Sequence, residues 1–218
     1  MPSADPGAPA VRPADVERWL ADLALAPIER ADREGITSWD LVLDGRRRFD
    51  LRVTLILDPS FALLVWAPFA PPINDMFRKS YRKLLRWNDA FPFVKFGLTE
   101  DERPLLAAEL PIESVDDAAV GLALARMVGI ADRLFEDTVP WLWIGGKRPD
   151  QSKRTPRNER LLRQYADVLA DLEAIPLGPT NEADLDGPGE PAEPGAPAGP
   201  TDSTEPSAPA PTTADAAS

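Results

Sequence analysis

Apolar residues recur along this chain with two periods, and the switches between them outline a sequence of elements. Val16, Trp19, Leu20 and Leu23 stand at i, i+3, i+4 and i+7, the spacing of a helix with one buried stripe. Pro13 suits its first position, and Pro27 closes it. Alternation takes over at Trp39, Leu41 and Leu43. It resumes at Phe49, Leu51, Val53, Leu55 and Leu57, with Arg48, Asp50, Arg52, Thr54 and Ile56 between them. These runs predict two strands, and Asp44-Gly45 between them reads as a two-residue hairpin turn. Asp58-Pro59-Ser60 turns the chain into Phe61 to Trp66, apolar on both faces and so predicted to be a strand covered from both sides at the centre of a meander.

Helical spacing returns at Ile73, Phe77, Tyr81, Leu84, Leu85 and Phe91, after Pro68, Pro71 and Pro72. Two short strands follow, Phe93 to Leu98 and Leu105 to Leu110, around the polar loop from Thr99 to Arg103. Ser114 with Asp117 resembles a capping arrangement for a long helix through Val120, Leu124, Met127, Val128, Ala131, Leu134 and Phe135. Trp141 and Trp143, two apart, predict an extended segment packing one edge onto the core. Beyond a linker, Thr155-Pro156 reads as an N-cap with Pro at the first helical position, opening an appended helix through Leu161, Tyr165, Val168, Leu169 and Leu172. The predicted order is α-β-β-β-α-β-β-α, an α+β fold with a five-stranded, largely antiparallel sheet and helices mainly on one face.

Composition then divides the 218 residues. The net charge is −12, but residues 178–218 hold eight Asp or Glu, nine Pro, five Gly, no Lys or Arg and one large apolar side chain, Leu185. Such a segment cannot bury enough surface to offset chain entropy, so a disordered acidic tail is expected. Its −8 leaves only −4 for residues 1–177. The expected organisation is a disordered N-terminus over 1–12, a globular domain over 13–145, a basic linker and amphipathic helix over 146–177, and the tail over 178–218. The first dozen residues lack the charged start and apolar run of a signal peptide. The longest apolar run, Phe61 to Ala67, is too short to span a bilayer. A cytoplasmic address and no membrane partner are expected.

The chain has no His and no Cys, which removes Ser-His and Cys-His nucleophile systems, Cys/His zinc sites, thiol chemistry and disulfides. Asp116 and Asp117, or Glu100, Asp101 and Glu102, lie in loops or at a helix start, where capping and solvation account for them. Gly145-Gly146-Lys147 lacks the spacing of a phosphate loop and reads as a turn. No enzyme, metal or cofactor is expected. If Phe49 to Leu57 turn their alternate positions to the core, Ile56, Leu64 and Trp66 face away from the helices. Three covers are open for that second face: a polypeptide, a second copy or the appended helix. Arg78, Lys79, Arg82, Lys83 and Arg86 put five cations in nine residues, with Arg78, Arg82 and Arg86 in one i, i+4 row. This ridge is either a solvated helix face or a contact for acidic peptide. The run from Lys147 to Arg163 carries +5, with the acidic tail at hand as an internal partner. The overall acidity, and the absence of interleaved aromatics in this run, argue against nucleic acid.

The element order from Pro13 to Trp143, the stretch Leu84-Leu85-Arg86-Trp87-Asn88, and the run Pro104-Leu105-Leu106-Ala107-Ala108-Glu109-Leu110-Pro111 before an Ala-rich helix resemble the YbjN family. That family, also called bacterial sensory transduction regulator, is similar in fold to the Tir-type chaperones of type III secretion. The resemblance implies a polypeptide-binding α+β domain that often pairs with a copy of itself, and it supplies no catalytic motif. The appended helix and the tail fall outside it. The expected function is non-catalytic, chaperone-like binding of a polypeptide by groove or edge recognition. The alternative is a regulatory or scaffolding domain of a signalling or stress response without chaperone activity.

Overall fold

The first helix begins where the pattern places it. In the computed structural model, which describes residues 11–72, 78–142 and 154–177, α1 spans Pro13–Asp22. Pro13 stands at its start, and the Asp15 carboxylate accepts from the Arg12 N–H at 3.1 Å. Val16 and Leu20 are fully buried. The described residues belong to one unit, Met1–Leu185, while Asp186–Ser218 form a second, outside the described residues.

The sheet has six strands, not five: β1 Glu29–Arg33, β2 Ile36–Leu43, β3 Leu51–Asp58, β4 Ala62–Pro68, β5 Lys95–Leu98 and β6 Pro104–Pro111. All neighbours are antiparallel, in the order β1-β2-β3-β4-β6-β5. The added strand, Glu-Arg-Ala-Asp-Arg, has no apolar alternation because it is an edge exposed on both faces. Its formation rests on main-chain pairing and on Arg30, whose guanidinium donates to Glu17 at 2.7 Å. The two-residue turn also lies here: Arg33 pairs with Ile36, and Glu34 and Gly35 both have positive φ, 51° and 84°, as a type I′ hairpin needs. Asp44-Gly45 instead opens a seven-residue connection, because the β2/β3 ladder starts at Leu43 opposite Leu51. Phe49 lies in that connection yet is buried with Leu51, Val53, Leu55 and Leu57, so the expected core face is correct. Phe61 falls in the turn before β4 and is 61% exposed.

Two further helices cover that core face, α2 Arg78–Ala90 and α3 Asp117–Arg133, and α4 Phe135–Leu142 packs on α3. Leu84, Trp87 and Phe91 bury the inner side of α2, while Ile73 and Phe77 lie outside the described residues. The cap of α3 is Asp116, which accepts from the Ala119 N–H at 2.7 Å, and Ser114 instead donates to the Pro111 carbonyl. Trp141 is helical rather than extended. The period of Phe135 and Thr138, both buried, carries the helix past Pro140, which in sequence reads as a breaker. Trp143 and Gly145-Gly146-Lys147 lie outside the described residues.

The appended helix is two helices, α5 Glu159–Gln164 and α6 Ala166–Ala174, broken at Tyr165. The residue at the N-cap of α5 is Asn158, not Thr155, since Thr155-Pro156 is not yet helical. Both helices pack on α3, where a Cβ on Gly121 would stand 2.1 Å from the Tyr165 hydroxyl and one on Gly129 would stand 2.7 Å from Leu172. Close approach there requires glycine.

A candidate docking face on the sheet

The ladder registers decide what the uncovered side of the sheet presents. Ile56 pairs with Leu64, and Leu64 with Glu109. The next row runs from Thr54 to Trp66, Ala107 and Lys95. Side chains at directly opposed positions share a face, so two apolar-centred rows cross the middle strands. Ile56, Leu64 and Ala107 are half-buried and Trp66 is 42% exposed, whereas Leu55, Leu63 and Val65 on the opposite side are completely buried. The described helices therefore leave this side uncovered. Because α5 and α6 pack on α3, the appended helix is not its cover, and among the described residues Leu64 and Trp66 are covered from one side only.

Along one margin the face deepens into a cleft of about 250 Å³ lined by Leu64, Trp66, Phe93, Lys95, Ala107 and Glu109. Phe93 is 69% exposed and left-handed, with φ 65°, a conformation that costs an aromatic residue free energy and points to an imposed role. The Arg126 guanidinium lies 4.3 Å from its ring centroid, and burial lowers the pKa of that arginine. Lys95 is tied back by donating to the Phe91 carbonyl at 3.1 Å, which leaves the two aromatic rings as the walls. Phe93, Lys95 and Glu109 were missed in the sequence. The alternation of Ala107 and Glu109 with buried Leu106 and Ala108 was a usable signal for β6, but nothing local marks the turn of Phe93.

Edge recognition is poorly served. The outward main-chain groups of Phe96 in edge strand β5 are taken by Asn88, whose Oδ1 accepts from the Phe96 N–H at 2.5 Å and whose Nδ2 donates to its carbonyl at 3.1 Å. At the other edge β1 is largely charged. Both are devices that blunt strand addition. Beside β5 a second hollow of about 250 Å³ is lined by Tyr81, Leu84, Leu85, Phe96, Gly97 and Leu98. The outer side of α2 carries Arg82 and Arg86, both exposed. Arg78 is in α2, but its side chain lies outside the description. The structure brings together Ile56, Leu64 and Trp66, and it places Arg82 and Arg86 on another surface.

Two arginines of the C-terminal basic run are engaged within the fold. Asp44, fully buried, accepts from the Arg157 N–H at 3.0 Å and from Arg154 at 3.2 Å. Asn158 holds the Asp44 main chain in both directions, accepting at 2.6 Å and donating at 3.0 Å. Burial opposes the charge of Asp44, but hydrogen bonds from the Asp50 and Arg157 N–H groups and from Arg154 outweigh it, and the pKa lies below its ordinary value. Arg154 and Arg157 also meet Asp50, at 2.7 and 2.8 Å. The expected pairing of this run with the acidic tail thus meets prior local partners. Lys147, Arg148 and Lys153 lie outside the described residues.

A six-stranded antiparallel sheet, with helices on one face and an aromatic cleft on the side that the described helices leave uncovered, defines an α+β domain. The chain belongs to the YbjN family, described as "Putative bacterial sensory transduction regulator", whose family model matches residues 12–138. The match ends inside α4, before α5 and α6. A comparison with curated proteins finds no match. Among the described residues, no helix is long and apolar enough to cross a membrane.

Proposed function

We propose that this YbjN-family chain is a non-catalytic regulatory protein of the cytoplasm that works by binding polypeptide, in a chaperone-like manner, on the open sheet face. The likeness to type III secretion chaperones read from the sequence belongs to this proposal. The observation that carries it is the patch Ile56, Leu64, Trp66: apolar, left uncovered by the described helices and continuous with a cleft between two exposed aromatic rings. Apolar patches rimmed by polar groups mark interaction sites, and aromatic anchors over small-residue floors supply most of the affinity in such sites. Since both sheet edges are blunted, recognition by side chains on the face is favoured over strand addition.

The test uses the full chain with reduced, carboxymethylated α-lactalbumin, a permanently unfolded polypeptide, while the indole N–H resonance of Trp66 is followed by NMR. Saturable movement of that resonance, lost in Leu64→Glu with the circular dichroism unchanged, supports the reading. No movement, with the chain sedimenting as a dimer that Leu64→Glu dissociates, replaces it by a scaffold in which a second copy covers the face.

A further inference from the structure

The C-terminal segment contains a pattern that composition alone conceals. From Pro188 to Pro200 a proline stands at every third position: 188, 191, 194, 197 and 200. A polyproline II helix has three residues per turn, so in that conformation these five rings form a single ridge. Proline fixes φ near −65°, and a ligand already restricted to its bound shape loses little entropy on docking.

The cleft on the open face has the complementary chemistry. Trp66 and Phe93, 42% and 69% exposed, stand as walls over Leu64, Ala107 and Ala108, and proline ridges dock in grooves lined by aromatic rings. Arg126 against Phe93 holds one wall in place. Glu190 and Glu193 also lie three apart, so the ridge is flanked by two carboxylates on one side. The face offers the exposed Arg52 to meet them, against Glu109, while Lys95 is held by main-chain carbonyls, so charge contributes little and ring packing dominates.

We propose that the Trp66–Phe93 cleft is the receptor for the proline-triplet segment, Pro188 to Pro200, of a second copy of this chain, a proposal that rests on reading the open face as a docking surface. Chain length favours a second copy over the same one. The described chain ends at Leu177, just after α6, which packs on α3 on the helical side. The ten residues from Gly178 to Gly187 reach at most about 35 Å when fully extended, whereas half the circumference of a domain of this length, with a radius of gyration of about 15 Å, is roughly 60 Å. A second copy has no such constraint, and its docking links chains at high concentration.

The experiment follows the Trp66 indole resonance in the full chain, assigned by its loss in Trp66→Phe. The probe is a synthetic peptide of residues 188–200, and its control has all five prolines replaced by alanine. The proline peptide should shift Trp66 saturably, the control should not, and affinity should fall about tenfold or more in Phe93→Ser. The shift should persist in high salt. In the full chain alone, Trp66 should move on dilution, and a chain with the same five Pro→Ala changes should show no such dependence. That variant leaves the described residues untouched, so it cannot fail by misfolding. A proline peptide without effect at millimolar concentration overturns the assignment. If the unfolded lactalbumin probe still moves Trp66, the docking face survives and only the proline ligand falls. A Trp66 position that differs between the two full chains but is independent of dilution overturns the second copy in favour of the same chain.

Discussion

Single residues report how closely this fold is packed. A Cβ on Gly45 would lie 2.3 Å from Oδ1 of Asp132. That carboxylate cannot retreat, because it accepts from the N–H groups of Arg47 and Arg48 at 2.6 and 2.8 Å. Gly45→Ala should therefore destabilise the protein by about 2 kcal/mol, read from urea denaturation. Gly97→Ala is the contrast: its new Cβ meets only Leu105, at 3.7 Å, so its effect should stay within about 0.5 kcal/mol. Arg48 is a buried cation whose pKa burial pulls down to about 9, with Asp132 opposing the shift. It remains charged at neutral pH and donates to the Phe69 carbonyl at 2.7 Å. Removing the facing carboxylate leaves that charge with less compensation, so Asp132→Ala should cost about 3 kcal/mol or more in the same denaturation assay.

At the scale of elements, the question is what fastens α5 and α6, which lie beyond the family match, to α3. Leu161 and Leu172 are buried there, Tyr165 donates to the Ala118 carbonyl at 3.3 Å and Glu173 meets Arg133 at 3.6 Å and also Arg47, while Asp44 with Asn158, Arg154 and Arg157 ties the start of α5 to the β2–β3 connection. Asp44→Asn should expose the amide protons of α5 and α6 to hydrogen exchange while those of β3 and β4 keep their protection. Acid should act the same way. The folded pKa of Asp44 lies below its ordinary 3.8, so its contribution is complete above that value and is lost as the pH falls through the lower folded value. Hydrogen exchange of α6 should therefore accelerate below pH 3.8 in the natural sequence, ahead of the sheet, and Asp44→Asn should lack that step. Exchange of sheet and helices in a single transition would show that the two form one cooperative unit.

Across the whole molecule, charge and packing separate. Residues 178–218 carry −8 and one large apolar side chain, so they have little to contribute to a core. A chain ending at Leu177 should melt within about 2 °C of the full chain, since a shift of that size corresponds to about 0.5–1 kcal/mol in a domain of this length. A loss of several degrees would show that the segment supports the fold. Arg154 and Arg157 already have carboxylate partners, so adding salt should change the melting of the two chains alike.

Much of this could be read from order along the chain. The periods of Val16 to Leu23, Leu51 to Leu57 and Val120 to Leu134 determined the elements and the core face, because burial on one side of a regular element imposes its own spacing on the sequence. The same alternation put Ile56, Leu64 and Trp66 on the second face. Tertiary structure decided what local pattern does not encode. An edge strand such as Glu29–Arg33 buries nothing and leaves no apolar signature. The turn at Glu34-Gly35 rather than Asp44-Gly45 follows from the pairing of Arg33 with Ile36 and from Gly45 being needed against Asp132, 87 positions away. Asn88 facing Phe96, Asn158 clasping Asp44, and Phe93 meeting Trp66 across a cleft are each assembled from segments far apart or turned by strain, and only the closed fold brings them within reach.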